Sequence, residues 1–123
     1  MSTRSQVKVI ANNKEIMLYH HWDGYPTGVG YCLLKLMEKY KDGEWAEEII
    51  NKMIKKADFE VTLANHSDIE YFYEMDFDKR SVSCKSVDNW DGDMKTLEVI
   101  DLVYDKEKDC NVDSQLFKGG NND

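Results

Sequence analysis

The feature that most constrains the fold of this chain is the order in which its hydrophobic periods change. Residues 6–11 and 14–22 are β-rich runs joined by a short Asn-rich turn, which is typical of a β-hairpin. Apolar residues then recur at helical spacing over residues 28–40 and again over about residues 44–56. From Phe59 onward the period returns to two. The order ββααββββ predicts an α+β domain, an antiparallel sheet with two helices packed on one face.

The second half of the chain supplies the remaining predicted strands. Apolar and polar residues alternate over residues 59–63 and 69–77, which favours half-buried strands. Residues 96–104 are apolar on both faces and are therefore predicted to form a central strand covered on two sides. Residues 1–104 are thus expected to form one domain and residues 105–123 a polar C-terminal tail, in which Leu116 and Phe117 can anchor against a partner.

The charge of the chain limits the classes of partner. The sequence has 24 acidic and 16 basic residues and a net charge of -8, which repels nucleic acid duplexes and anionic membranes. Arg4 and Arg80 are the two arginines, so an anionic ligand must use these two side chains, lysines or backbone amides. An acidic surface can also mimic nucleic acid towards a basic partner.

The cysteines and the N-terminal residues indicate a cytoplasmic protein. Cys32, Cys84 and Cys110 form no CxxC pair, and they are predicted to be reduced thiols. No apolar run follows the first residues as it would in a signal peptide, and no segment has the length needed to span a bilayer.

The stretch YHHWDGYPTGVG, residues 19–30, holds the main candidates for a binding site. Pro26 and Thr27 are predicted to begin the first helix, and the amides of its first turn have no partner within the helix. Gly28 and Gly30 leave these amides open to an anion, and the helix dipole favours phosphate or carboxylate there. Alternatively, the glycines serve close packing against the hairpin and Thr27 is an ordinary helix cap.

The aromatic residues of the same stretch suggest a nucleotide. Trp22 and Tyr25 offer flat faces for a base, and Asp23 can accept hydrogen bonds from ribose hydroxyls. The alternative is a tight turn in which Gly24 takes a positive φ, Asp23 bonds its own backbone and both rings close the core.

Histidines alone do not indicate a catalytic or metal site. His20 and His21 are neighbours in a predicted strand, so their side chains point to opposite faces and one of them is expected to be structural. His66 lies in a predicted turn, and no zinc-binding spacing or nucleophile elbow accompanies the three histidines. The sequence therefore predicts no catalytic residues, no metal and no cofactor.

The segment HHWDGYPTGVG, after a short N-terminal strand, resembles small phage-encoded proteins with an HWDGYP-type motif. It is similar to the Thoeris anti-defence family, whose members capture cyclic ADP-ribose isomers made by bacterial TIR-domain enzymes without cleaving them. The matching residues are His20 to Gly30, with a weaker match over Met1 to Val9.

This resemblance implies a sponge that inhibits Thoeris immunity in the host cell cytoplasm. It further implies a homo-oligomer with ligand pockets near subunit interfaces, to which Phe72 can contribute a contact and Arg80 a cation. The expected ligand-binding residues are His20, His21, Trp22, Asp23, Tyr25, Thr27, Gly28, Gly30, Phe72 and Arg80. Two other classes stay open: a hydrolase acting on a related nucleotide, and an acidic interaction protein that blocks a host defence factor.

Overall fold

The computed structural model describes residues 3–39, 46–89, 91 and 93–103. Over these residues the chain has an α+β fold, as predicted from the order of periods. The strands are β1 (Arg4–Ala11), β2 (Lys14–His20), β3 (Glu60–Val61), β4 (Ile69–Asp76), β5 (Ser81–Asp88) and β6 (Lys95–Ile100). The helices are α1 (Tyr31–Lys39) and α2 (Ala46–Lys56), and a π-helical turn (Pro26–Gly30) comes directly before α1.

The predicted N-terminal hairpin is formed by β1 and β2. Asn12 and Asn13 connect the two strands with φ angles of 54° and 64°, a left-handed conformation that asparagine tolerates and tight hairpins require. The Asp78 carboxylate accepts hydrogen bonds from both of their amides, at 2.8 and 3.1 Å. The hairpin turn is thereby joined to the turn that follows β4.

The sheet is mixed, so the prediction of an antiparallel sheet is wrong at one pairing. Its strand order is β3-β2-β1-β4-β5-β6, and β1 and β4 are parallel whereas the other neighbours are antiparallel. The cause is the route of residues 62–68. They return the chain from β3 to the end of the sheet where β1 begins, so β4 starts beside Arg4 and runs in the same direction as β1.

The structure also corrects the predicted burial of two strands, of which residues 69–77 were expected to be half-buried. β4 lies inside the sheet between β1 and β5, and residues on both of its faces are buried. β6, predicted as a covered central strand, is an edge strand in which five of the six residues are exposed. Apolar residues at adjacent positions therefore did not mark the covered strand.

Two groups of buried apolar residues hold the described elements together. The larger group joins Val7, Leu18 and Tyr73 of the sheet with Leu33 of α1 and Met53 of α2. The smaller group lies on the face of the sheet that carries Gln6. Its buried members are Tyr19, Ile69, Phe72 and Val87. The packing of both helices on one face stays a prediction.

The described cysteines differ in their state. Cys84 is a free, buried thiol, and burial raises its pKa to about 11, which keeps it protonated. Cys32 is disulfide-bonded, so the prediction of a reduced thiol is wrong at that position. Sequence spacing could not show this, because thiols far apart in the chain can meet in space.

The membrane prediction can be checked only against the described helices. None of them is long and apolar enough to cross a membrane. The predicted tail of residues 105–123 lies outside the described residues.

Candidate functional site

The turn after β2 is held tightly against the sheet. The Gly24 amide donates to the Thr3 carbonyl at 2.9 Å, and the buried Tyr73 hydroxyl donates to the Gly24 carbonyl at 2.6 Å. Asp23 has a φ of 55°, so the positive φ lies at Asp23 and not at Gly24, where the tight-turn alternative places it. The partners of Gly24 are Thr3, directly before β1, and Tyr73 of β4, so this conformation depends on the sheet as well as on local sequence.

His20 is a buried structural residue that links this turn to the residue after α2. Its side chain is fully buried, its Nδ1 lies 2.6 Å from the Trp22 carbonyl oxygen, and its Nε2 lies 2.9 Å from that of Ala57. Burial lowers the pKa of His20, and the two carbonyls oppose that shift. Since both ring nitrogens contact backbone oxygens, this imidazole joins the turn to the end of α2 and has no face open to a ligand.

His21 lies on the opposite face, as the alternation of strand residues predicts. Its Nε2 is 2.8 Å from Glu60 Oε2, and its side chain is 39% exposed. The Trp22 ring lies 6.0 Å from the His21 ring at an interplanar angle of 29° and is 38% exposed. Trp22 is the one exposed aromatic residue within the described ranges. Together the two rings form an accessible stacking surface, which we call the Trp22–His21 platform.

The amides at the helix start do not point outward, which corrects the predicted anion site. The Gly28 amide donates to the Tyr25 carbonyl and the Val29 amide to the Asp23 carbonyl, both at 2.8 Å. Both accepting carbonyls lie before Pro26, three and six residues back from the donors, so the preceding turn engages these amides.

The two glycines of this turn are explained by packing. A Cβ at Gly28 would fall onto the Asp23 carbonyl oxygen, and a Cβ at Gly30 would lie 2.9 Å from Tyr73 Cε1. Thr27 is exposed and lies inside the π-helical turn, so it is not the N-cap; that position belongs to Tyr25, which makes no side-chain capping bond. The packing alternative accounts for this part of the motif.

Asp23 and Tyr25 are in contact with each other. The Tyr25 hydroxyl donates to Asp23 Oδ1 at 3.1 Å, and this bond raises the pKa of Tyr25. One oxygen of the carboxylate that follows Trp22 in the chain is therefore already engaged. The tight-turn alternative is therefore wrong in two details, because Asp23 Oδ1 bonds the Tyr25 hydroxyl and the Trp22 ring is exposed.

Sequence reasoning missed a polar cluster on the same face as His21. The Tyr19 hydroxyl donates to Asp68 at 3.0 Å, and burial together with this carboxylate raises its pKa to about 12. Arg4 Nε lies 3.2 Å from Asp68 Oδ2, and the His66 ring stacks on Tyr19 with centroids 4.0 Å apart. The sequence signal that could have pointed to this cluster is the two-residue period of β2, which places Tyr19 and His21 on one face of the sheet.

The loop of residues 62–68 completes this cluster because buried side chains hold it on the sheet. Gln6 Oε1 accepts a hydrogen bond from the His66 amide at 2.6 Å, and Asn89 Nδ2 donates to the His66 carbonyl at 2.8 Å. Thr62 Oγ1 lies 3.0 Å from His66 Nε2. His66 thereby reaches Tyr19 from a distant part of the sequence.

Two predicted site residues do not belong to this region. Phe72 is only 7% exposed and packs in the smaller core group with Lys85 Nζ 5.5 Å from its ring centroid, so it is not an exposed subunit contact. Arg80 lies in the turn between β4 and β5, at the end of the sheet opposite Arg4. Their separation from Trp22 follows from the strand directions.

A cavity is present at the far end of the hairpin. It has a volume of about 450 Å³ and lies between the turn end of β1 and β2 and helix α2. Val9, Ile16 and Ile50 supply apolar lining, and Lys14 and Glu47 supply charge. It contains none of the predicted ligand-binding residues.

Within the described ranges, no group of three or more His, Cys, Asp and Glu residues is placed to hold a metal ion. No protein-family model, no curated protein and no solved structure matches the chain.

Proposed function

We propose that this chain binds and sequesters a nucleotide signal of the cyclic ADP-ribose type without cleaving it. The observation that supports this proposal is the Trp22–His21 platform, an exposed pair of rings with carboxylates beside it. Stacking on aromatic rings holds a base, and carboxylates accept hydrogen bonds from ribose hydroxyls. The resemblance of residues 20–30 to phage anti-defence proteins names the class of nucleotide.

In this proposal Glu60 and Asp23 bind the ribose hydroxyls. Glu60 meets His21 at the side of the platform, and its side chain is 59% exposed. Asp23 comes directly after Trp22 and has one oxygen engaged by Tyr25. Both carboxylates can accept hydrogen bonds from a ribose whose base lies on Trp22.

In this proposal Arg4, and not the amides at the helix start, binds a phosphate of the nucleotide. Arg4 begins β1 at the strand end where Ser5 lies opposite His20 in the register. Its ion pair with Asp68 has side chains 39% and 44% exposed, and such pairs are weak and easily exchanged in water. An incoming phosphate can therefore compete for this guanidinium.

Sequestration is favoured over hydrolysis because the titratable groups near the platform are engaged. Both nitrogens of His20 contact carbonyls, His21 Nε2 contacts Glu60, and the raised pKa of Tyr19 keeps its phenol neutral. A sponge needs affinity and slow release, not an activated nucleophile. In this proposal the protein acts in the host cytoplasm as a homo-oligomer with pockets near its subunit interfaces.

The first test compares binding of a cyclic ADP-ribose isomer by the wild type and by variants, using calorimetry. Trp22→Ala should weaken binding by about tenfold to a hundredfold, the range expected for loss of one stacked base. Arg4→Ala should also weaken it. Arg80→Ala is the matched control, because it removes the other arginine at the far end of the sheet and should leave Kd unchanged. Equal binding by Trp22→Ala and wild type would refute the site.

The second test separates a sponge from a hydrolase. After incubation with excess ligand, the protein is denatured by heat and the released material is analysed by chromatography. A sponge returns intact nucleotide in an amount set by the number of sites. Product beyond one equivalent per site that disappears in His21→Ala would make the chain an enzyme. No binding of any cyclic nucleotide would instead favour the acidic interaction protein.

A further inference from the structure

The outer edge of β6 has the features of an association surface. Within the described residues no strand pairs with β6 on its outer side. Leu97 and Val99 are 66% and 74% exposed, and Val103 just beyond the strand is 77% exposed. The opposite edge strand, β3, has only two residues. A long exposed edge with apolar side chains offers unpaired backbone groups to another strand, which proteins ordinarily avoid unless the edge is covered.

The charges of β6 match those of a second, antiparallel copy of itself. Lys95 lies opposite Asp88 on β5, and Glu98 lies opposite Ser86, two residues away. Lys95 and Glu98 therefore project from the same face of the sheet, because the register shifts at Leu97. These are the two charged residues of the strand, one of each sign.

We infer that β6 pairs with β6 of a second copy of this chain, antiparallel about a two-fold axis. The axis passes between Thr96 and Leu97, so Lys95 of each copy lies opposite Glu98 of the other on one face. Such an isologous contact uses the same strand twice and closes on itself. Cross-strand pairs of opposite charge stabilise strand pairing, and the exposed Leu97 side chain gains Thr96 of the second copy as its cross-strand neighbour. This inference does not rest on the proposed function.

The length of β6 sets the expected strength of the contact. A strand of six residues is about 20 Å long, so pairing through this edge alone buries less surface than a standard interface. We therefore expect a dimer that dissociates on dilution, and not an obligate assembly. Analytical ultracentrifugation over a range of protein concentrations measures its Kd directly.

The first pair of variants tests the surface. Leu97→Lys should raise the dimer Kd by about tenfold or more. Leu63→Lys is the matched control, because the charge change is identical. Leu63 is a fully exposed leucine that follows β3, the strand at the opposite edge of the sheet. Circular dichroism confirms that both variants are folded. A dimer that responds equally to the two substitutions, or to neither, would overturn the inference.

A charge exchange tests the register. Lys95→Glu and Glu98→Lys should each weaken the dimer, because like charges then face each other across the axis. The double variant restores opposite pairs and should return Kd to near the wild-type value. The contact of Lys95 with Asp91, at 3.5 Å between side chains more than 60% exposed, contributes little to these differences.

Two results would be decisive against the proposal. A wild-type chain that is monomeric at every concentration would show that a second copy does not cover β6, and a double variant as weak as either single variant would exclude the two-fold pairing. These measurements contain no nucleotide, so they are independent of the outcome of the binding experiments.

Discussion

Strands β4 and β6 present a contrast between sequence pattern and position. β4 reads IEYFYEMD, with three acidic residues among eight, yet five of its residues are buried. The pattern of residues 96–104 predicts a strand covered on two sides, yet five of the six residues of β6 are exposed. The strand with three acidic residues lies at the centre of the sheet, and the strand predicted to be covered lies at its edge.

The difference teaches that burial of a strand is set by what lies beside and above it. β4 has strands on both sides, one core group on one face, and the group of Tyr19 and Phe72 on the other. Its acidic residues find places within this arrangement: Asp76 is buried and accepts hydrogen bonds from the amides of Asp78 and Lys79 at 2.9 and 3.0 Å. β6 has a neighbour on only one side.

The largest expected effect on stability comes from a substitution that creates a cavity at a buried residue of β4. Met75 is fully buried, and Met75→Ala should lower the free energy of unfolding by about 2–5 kcal/mol through lost burial and an unfilled space. Chemical denaturation measures this loss. Leu97→Ala on β6 is the control and should cost less than about 1 kcal/mol when the protein is dilute. Similar losses at the two positions would contradict the contrast between the strands.

The next effect concerns the contact between β4 and the π-helical turn. Gly30→Ala places a methyl group 2.9 Å from Tyr73 Cε1 and should destabilise the fold by about 1–3 kcal/mol. Thermal unfolding measures the loss. Combining it with Tyr73→Leu, which removes the obstructing ring, should cost less than the sum of the single changes. Strict additivity would show that this contact does not limit the packing.

A smaller effect is expected from the buried phenol of β4. Tyr73→Phe removes the hydrogen bond to the Gly24 carbonyl and should cost about 1–2 kcal/mol at neutral pH. Urea denaturation of both proteins at pH 8 measures this difference, and no loss would show that the bond does not contribute to stability.

The phenols of Tyr73 and Tyr71 in β4 predict how the stability of the fold depends on alkaline pH. Burial raises the pKa of Tyr73 and of Tyr71 above the value of about 10 in the unfolded chain. Stability is therefore full below pH 10 and is lost as pH rises above it, because the unfolded state releases the protons more readily. Tyr73→Phe should reduce the slope of stability between pH 10 and 11, and an unchanged slope would exclude Tyr73 as its source.

The smallest expected change in the free energy of unfolding comes from a substitution at an exposed residue of β6. Val99→Thr exchanges an exposed apolar side chain for a polar one that is equally suited to a strand. It should change the free energy of unfolding of dilute protein by no more than about 0.5 kcal/mol. A loss above 1 kcal/mol in urea denaturation would show that β6 is more buried in solution than in this fold.

The local elements were predictable because neighbouring residues decide them. The hairpin turn was visible in Asn12 and Asn13, and the observed helices fall within the predicted segments of residues 28–40 and 44–56. The alternation rule also placed His20 and His21 on opposite faces correctly, because it depends only on strand geometry.

The candidate site was predictable in part. The sequence pointed to Trp22 as an available ring, and that residue is exposed. The expected anion site failed because the amides of Gly28 and Val29 donate to the carbonyls of Tyr25 and Asp23 in the preceding turn. Thr3 and Tyr73 hold that turn through Gly24. Arg4, Asp68 and His66 were missed because they meet only when three segments converge.

By itself, the sequence determined the α+β class, the hairpin and the opposite faces of the two histidines. These features follow from interactions between residues close in the chain. Tertiary structure alone decided that β4 runs parallel to β1, that β6 lies at the edge and that residues 62–68 bring His66 onto Tyr19. Each of these depends on which distant segments become neighbours, and the free energy of such pairings is shared among residues that no local pattern connects.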